Sequence, residues 1–216
     1  MTGLSTVRIR DMGLRDYEPV WQTMRYFSMH RKADAMDEIW LLQHRPVYTL
    51  GLNAHEQPPA AGEIPCIKTD RGGDITYHGP GQYIAYVLMD MERRNWGVRQ
   101  LVDAMEQTVV DLLADYGVQG HRREGAPGVY VNDSKLASLG LRIRRHHSYH
   151  GLSINANMDL EPFDRITPCG LQGIRMTQLK ELFDYDANTV QQQLQSHLLR
   201  NLGYNDRPEI LVQHQS

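Results

Sequence analysis

The sequence predicts an α+β domain, a mixed and largely antiparallel sheet with helices packed on it. Three observations carry that prediction. Short β-branched and aromatic runs, separated by Gly, Asn or Pro, fill most of the chain. Two longer stretches repeat their apolar residues at helical spacing. The strand-like runs mostly follow one another directly, which suggests hairpins and meanders rather than the strict alternation of a doubly wound sheet.

Taken in order, "TVRIR" (6–10) is the first strand-like run. A helix covers about 16–34, with Pro19 tolerated because it falls in the first turn. "EIWLLQH", "PVYTLG", "PCIKT", "DITYH" and "YIAYVLMD" follow as strands, interrupted by the polar, Pro- and Ala-rich loop "NAHEQPPAAGEIP" (53–65). In "GVRQLVDAMEQTVVDLLADYGV" the residues Val98, Leu101, Val102, Met105, Val109, Leu112, Leu113 and Tyr116 mark one face of a helix, and Gly117 can cap its end. "GVYVND", "KLASLGLRIR" and "YHGLSINANM" are strands, the first two joined by an Asn-Asp turn. Val190, Leu194, Leu198 and Leu202 mark a last helix, with Asp186 or Asn188 as N-cap and Gly203 after the final turn.

At 216 residues the chain fits one domain, large enough to bury about 70% of its unfolded-state surface. Hydrophobic residues at 41% and charged residues at 23% place it among globular rather than disordered chains. A formal net charge of −3 gives no general affinity for nucleic acid. No run approaches the ~20 apolar residues needed to span a bilayer. The start "MTGLSTVRIRDMG" lacks a basic region followed by an apolar one, so a cytoplasmic location is expected. The two cysteines, Cys66 and Cys169, are then expected as free thiols.

Three stretches carry chemistry. In "RGGDITYHGPGQ" the residues Gly72 and Gly73 let the backbone approach a ligand, with Arg71 and His78 as polar anchors. No Gly-Lys-Ser/Thr follows, so the run is no P-loop; no helix follows, so it is no dinucleotide fingerprint. A plain hairpin with bulge glycines fits the same pattern. In "APGVYVNDSKLASLGLRIRR", Lys135 begins a strand whose continuation is apolar. Such a lysine is either solvated or, facing inward, a dry ammonium suited to pair with a thiolate. In "RITPCGLQG", Pro168 and Gly170 flank Cys169 on a loop. A buried loop cysteine with no chemistry fits the same residues; a cation about 4 Å from its sulfur would instead contribute up to roughly 4 kcal/mol at an effective dielectric near 20, enough to make the thiolate the main form. "RRHHSYHG" places His146 and His150 four residues apart. On a strand that is about 13 Å, too far to share an ion, so no metal site is assigned.

Together, "RGGDITYHGPGQ", "APGVYVNDSKLASLGLRIRR", "YHGLSINANMDLEPF" and "ITPCG", in that order, resemble the lipoyl(octanoyl) transferase family over nearly the whole chain. The resemblance implies the biotin/lipoate protein ligase catalytic-domain fold, a single catalytic domain with its core at about 32–207. It implies transfer of an octanoyl group from octanoyl-acyl carrier protein, through a cysteine thioester, to the lysine of lipoyl domains. Those acceptors would belong to 2-oxoacid dehydrogenases and the glycine cleavage H protein. Cys169 becomes the nucleophile and Lys135 the residue that lowers its pKa. The substrate would be lined by Arg71, Gly72, Gly73, Asp74, Ile75, Thr76, Tyr77 and His78, by Ser138, Leu139 and Gly140, and by Gly151, Leu152 and Ser153. No cofactor and no metal are implied. "HRR" (121–123) and "RIRR" (142–145) are candidates for steering an acidic donor, or charged strand edges. His146-His147 and Leu171 depart from the family pattern. Three rival readings are an ATP-dependent lipoate or biotin protein ligase, a non-catalytic acyl- or lipoyl-binding module, and a papain-like hydrolase. The last fits poorly, because Pro168 and Gly170 do not suit a cysteine at a helix N-terminus.

Overall fold

The computed structural model describes residues 6–54, 63–166 and 174–212. The apolar run at 82–88 becomes β6 (Gln82–Leu88), buried along its whole length and therefore covered on both faces. On one side it pairs antiparallel with β2 (Asp37–His44), on the other with β9 (His147–Asn155). Beyond β9 lies β8 (Ser134–Arg144), also antiparallel, which in turn pairs with β7 (Gly128–Val131). The outer strands are parallel. β1 (Val7–Arg15) pairs with β2, β11 (Glu209–Val212) pairs with β1, and the two-residue β10 (Arg175–Met176) pairs with β8 at Ser134–Lys135. The main sheet thus runs β10-β8-β9-β6-β2-β1-β11 with β7 beside β8. A smaller sheet, β4 (Cys66–Lys68), β3 (Val47–Leu50) and β5 (Ile75–His78), packs near one end.

The mixed sheet agrees with the sequence, with antiparallel pairs at its centre. The hairpin expectation is too broad, however. β1 and β2 are joined through α1 (Tyr17–His30), so the first three elements form a parallel crossover unit.

Helix α2 (Val98–Asp115) and α5 (Ala187–Asn201) cover one face of the sheet. Leu101, Met105, Val109, Leu112 and Leu113 of α2 join Val190, Leu194 and Leu198 of α5 in one core. Val98, the first residue of α2, is 53% exposed instead of buried. Gly117 and Gly203 follow the two helices with φ of 69° each, the left-handed stop that glycine adopts without strain. Asp186 caps α5 by accepting from Thr189 N at 2.9 Å. Helix α1 covers the opposite face with Val20 and Met24 against Trp40, Ile84, Tyr86 and Tyr149. Two short helices, α3 (Glu161–Asp164) and α4 (Leu179–Leu182), were not expected from the sequence. Among the described residues no helix is long and apolar enough to cross a membrane.

Candidate functional site

The strand register brings together residues far apart in sequence. Ser138, Leu139 and Gly140 of β8 stand opposite Ser153, Leu152 and Gly151 of β9. At Gly151 only glycine fits, since a Cβ there would lie 2.0 Å from Ala85 O on β6. Gly140 faces the 71–73 run, and Gly72 N donates to Leu141 O at 2.8 Å. The three groups of residues expected at the substrate therefore meet.

They enclose a narrow slot of ≈ 40 Å³, closed by Tyr17, Thr76, His78, Tyr86 and His150. Gly73, Asp74, Leu139 and Gly140 also line a wider vestibule of ≈ 370 Å³, and Lys135 lies in its wall with Pro127 and Leu141. The exposed Val98 forms part of the vestibule rim. A slender chain in the slot would thus present its outer end near the lysine.

Two of the expected residues lie elsewhere. Along β5 alternate side chains face opposite ways, so Thr76 and His78 line the slot while Tyr77 packs with Tyr48, Met158 and Phe163. Ile75 is fully buried and outside both linings. Arg71 lines the slot, and its guanidinium also braces β3 by donating to Thr49 O at 2.6 Å and Thr49 Oγ1 at 2.9 Å.

Lys135 is 1% exposed, so of the two sequence readings the inward-facing one is observed. Its Nζ donates to Pro127 O at 3.0 Å and lies 5.4 Å from the centre of the Tyr130 ring. Gly128, with φ of 147°, leaves room for the stem, because a Cβ there would meet Lys135 Cε at 2.6 Å. Cys169, with Pro168, Gly170 and Leu171, lies outside the described residues. Cys66 is exposed on β4, and burial pushes its thiol above the ordinary range, so it is a poor nucleophile at neutral pH.

Around the slot lies a buried polar cluster of which sequence reasoning named only His78 as a lining residue. Burial pushes His78 down to about 3, and its Nδ1 pairs with Gln82 Oε1 at 2.7 Å. Burial pushes His44 down to about 4, and its Nε2 meets Tyr86 Oη at 2.8 Å. Tyr17 stacks on His78 with ring centres 5.9 Å apart, and burial raises its hydroxyl to about 12. Burial lowers His150 as well, although Asp70 opposes it from 3.1 Å. Burial alone would raise the Asp70 carboxyl; hydrogen bonds from His150, Tyr149 and Trp21 outweigh it and hold the group ionised. All three imidazoles are thus neutral at pH 7, and the end of the slot carries no net positive charge from them. The other histidine of the pair, His146, occupies the β8–β9 turn beside Arg145, both with positive φ.

A sheet-and-helix domain with a slender slot leading past a buried amine is the framework of an enzyme that handles an extended acyl chain. The chain matches the model of the lipoyl protein ligase A/B catalytic domain over residues 16–199. It is 53% identical to an octanoyltransferase of Nitrosococcus oceani over 205 residues, covering 94% of this chain and 92% of that one. It is 51% identical to an octanoyltransferase of Pseudomonas entomophila, covering 92% of this chain and 94% of that one. Among solved structures it resembles lipoate-protein ligase A bound with ATP, at a TM-score of 0.79 and 12% identity, over 96% of this chain and 90% of that one. The biotin protein ligase of Aquifex aeolicus is a more distant likeness, at a TM-score of 0.52 and 12% identity, over 92% of this chain and 69% of that one. The chain belongs to the lipoyl protein ligase A/B catalytic domain family.

Proposed function

We propose that this acyltransferase moves an octanoyl group from the thioester of acyl carrier protein to a lysine of a lipoyl domain, by way of a thioester on Cys169. The observation that supports it best is Lys135, buried where the vestibule meets the acyl slot. Cys169 stands six residues before Arg175 of β10, which pairs with Ser134 of the lysine's strand, a length of chain that reaches at most about 20 Å. Relatives at about 50% identity over most of the chain are octanoyltransferases, whereas the ligases share only the fold.

In the resting pair the Lys135 ammonium faces the Cys169 thiolate. The thiolate attacks the donor carbonyl, the carbon–sulfur bond to the carrier breaks, and the carrier's thiolate leaves with the proton of Lys135. Lys135, now neutral, takes a proton from the incoming lysine amine as that amine attacks the enzyme thioester. The amide departs, the thiolate and ammonium are restored, and no ATP is consumed. Each methylene that the slot buries contributes about 0.8 kcal/mol, and the slot of ≈ 40 Å³ must widen to take the whole chain. The apolar residues of the slot, Ile84, Leu139 and Leu152, suit that chain. The acceptors we favour are the lipoyl domains of 2-oxoacid dehydrogenases and the glycine cleavage H protein.

The test is transfer of octanoate from octanoyl-acyl carrier protein to a purified lipoyl domain with no nucleotide present. Cys169→Ala should abolish it and Cys66→Ser should leave it intact. Transfer that requires ATP and survives Cys169→Ala would make the protein a ligase instead.

A further inference from the structure

Behind Lys135 stands a carboxylate that lines neither cavity. Glu106 of α2 is 5% exposed, and its Oε1 accepts from Gly128 N at 2.8 Å. Gly128 N and Pro127 O are the two ends of one peptide unit. Lys135 Nζ donates to that same Pro127 O at 3.0 Å. Arg122 fixes the carboxylate from its other side, with Nε 3.5 Å from Glu106 Oε2 and Nη2 donating to Gln107 Oε1 at 2.6 Å.

We propose that Glu106 is a positioning residue for Lys135, acting through the Pro127–Gly128 peptide. A charged acceptor on the N–H end fixes the plane of the peptide and polarises its carbonyl, which strengthens the bond to the amine at the other end. The fixing matters because Gly128 has no side chain of its own to hold that plane. Its φ of 147° and the closeness of Lys135 Cε to the position of a Cβ leave no room for one. Without the carboxylate the peptide turns, the Pro127 carbonyl moves off, and the buried amine loses an acceptor. Tyr130 of β7 also packs against Nζ. Helix α2 is thereby tied to the chemistry through a residue that lines neither cavity. The inference rests on the role proposed above for Lys135.

The test is the pH profile of nucleotide-free octanoyl transfer in the full-length protein, with the alkylation rate of Cys169 followed in a Cys66→Ser background. Glu106→Ala should lower kcat by about tenfold to a hundredfold, the effect of losing a charge-assisted hydrogen bond, with KM nearly unchanged. Its acid limb should move up towards the ordinary thiol value near ~8.5. Glu106→Gln keeps an acceptor oxygen at the same reach but not the charge, so it should recover part of the loss, and its thermal melt guards against mere unfolding. A Glu106→Ala profile matching the wild type overturns the inference, as does a Glu106→Gln protein that folds but is no better than Glu106→Ala. Lys135→Ala separates the two levels. If its profile shifts while that of Glu106→Ala does not, only the positioning role fails. If its profile is unchanged, the role of Lys135 fails and this inference with it.

Discussion

Lowering the pH from 7 to 5 should destabilise the protein by about 4 kcal/mol, through His44 and His78. Burial holds these two imidazoles at about 4 and about 3 in the folded state. In the unfolded chain they titrate near ~6.5. Below that value the unfolded state binds protons that the folded state refuses, so their stabilising contribution is full above pH 6.5 and falls as the solution is acidified. At pH 5 the gap of ~1.5 units corresponds to about 2 kcal/mol per histidine, at ~1.36 kcal/mol per unit. Two such losses are a large part of an ordinary domain stability of ~5–15 kcal/mol. His150, also lowered by burial, adds in the same direction. The depressed carboxyls Asp70, Asp111 and Glu38 do not contribute in this window, because theirs is lost only as pH falls below the ordinary carboxylate range. Urea unfolding at pH 5, 6 and 7 measures the slope, and His78→Gln should flatten it whatever its effect at pH 7. A wild-type loss under ~1 kcal/mol between pH 7 and 5 would show that the folded state accepts these protons, against the buried, neutral cluster described here.

Gly128→Ala should lower stability and reduce transfer activity by at least about tenfold, because the methyl meets the Ala137 backbone O at 2.5 Å as well as the Lys135 stem at 2.6 Å and displaces the amine's charged hydrogen bond; steady-state kinetics beside urea unfolding checks it. Gly151→Ala should cost ~3 kcal/mol or more in urea unfolding, since its Cβ collides with the β6 backbone rather than with a movable side chain. Replacing Arg145-His146 by Asn-Gly should raise stability by about 1 kcal/mol, because both native residues sit at positive φ in the β8–β9 turn. Leu112→Ala, at a fully buried position between α2 and α5, should cost ~2–5 kcal/mol in the same assay.

The readable parts of the sequence were those whose cause is local. Helices α2 and α5 follow from apolar periodicity, and the Asp186 cap and Gly117 stop from side-chain chemistry at the helix ends. The β7–β8 hairpin follows from Asn132-Asp133. Strand β11 was not readable, because its four residues are all exposed and owe their conformation to pairing with β1. Nor was the parallel pairing of β1 with β2, which depends on which face of the sheet α1 covers. At the site, the three glycine-bearing stretches were legible as backbone approaching a ligand, and register then set them side by side. The direction of Lys135 was not legible, since it depends on the irregularity between Val129 and Tyr130 that shifts the β7–β8 pairing. Tyr17 and Tyr86 were passed over because each looks ordinary in its own segment, and His150 was weighed only as a metal ligand. Only the fold gathers them at the end of the slot. Glu106 is a further instance: one carboxylate on the buried side of an amphipathic helix, whose meaning comes from a peptide at the start of the next element.

The most direct measurement is the intact mass of the protein after brief mixing with octanoyl-acyl carrier protein alone, followed by peptide mapping. The account predicts one hydroxylamine-labile octanoyl group on Cys169, formed more slowly in Lys135→Ala and passed on when a lipoyl domain is added. A label on Cys66, or steady transfer with no acyl-enzyme at any time, would contradict it.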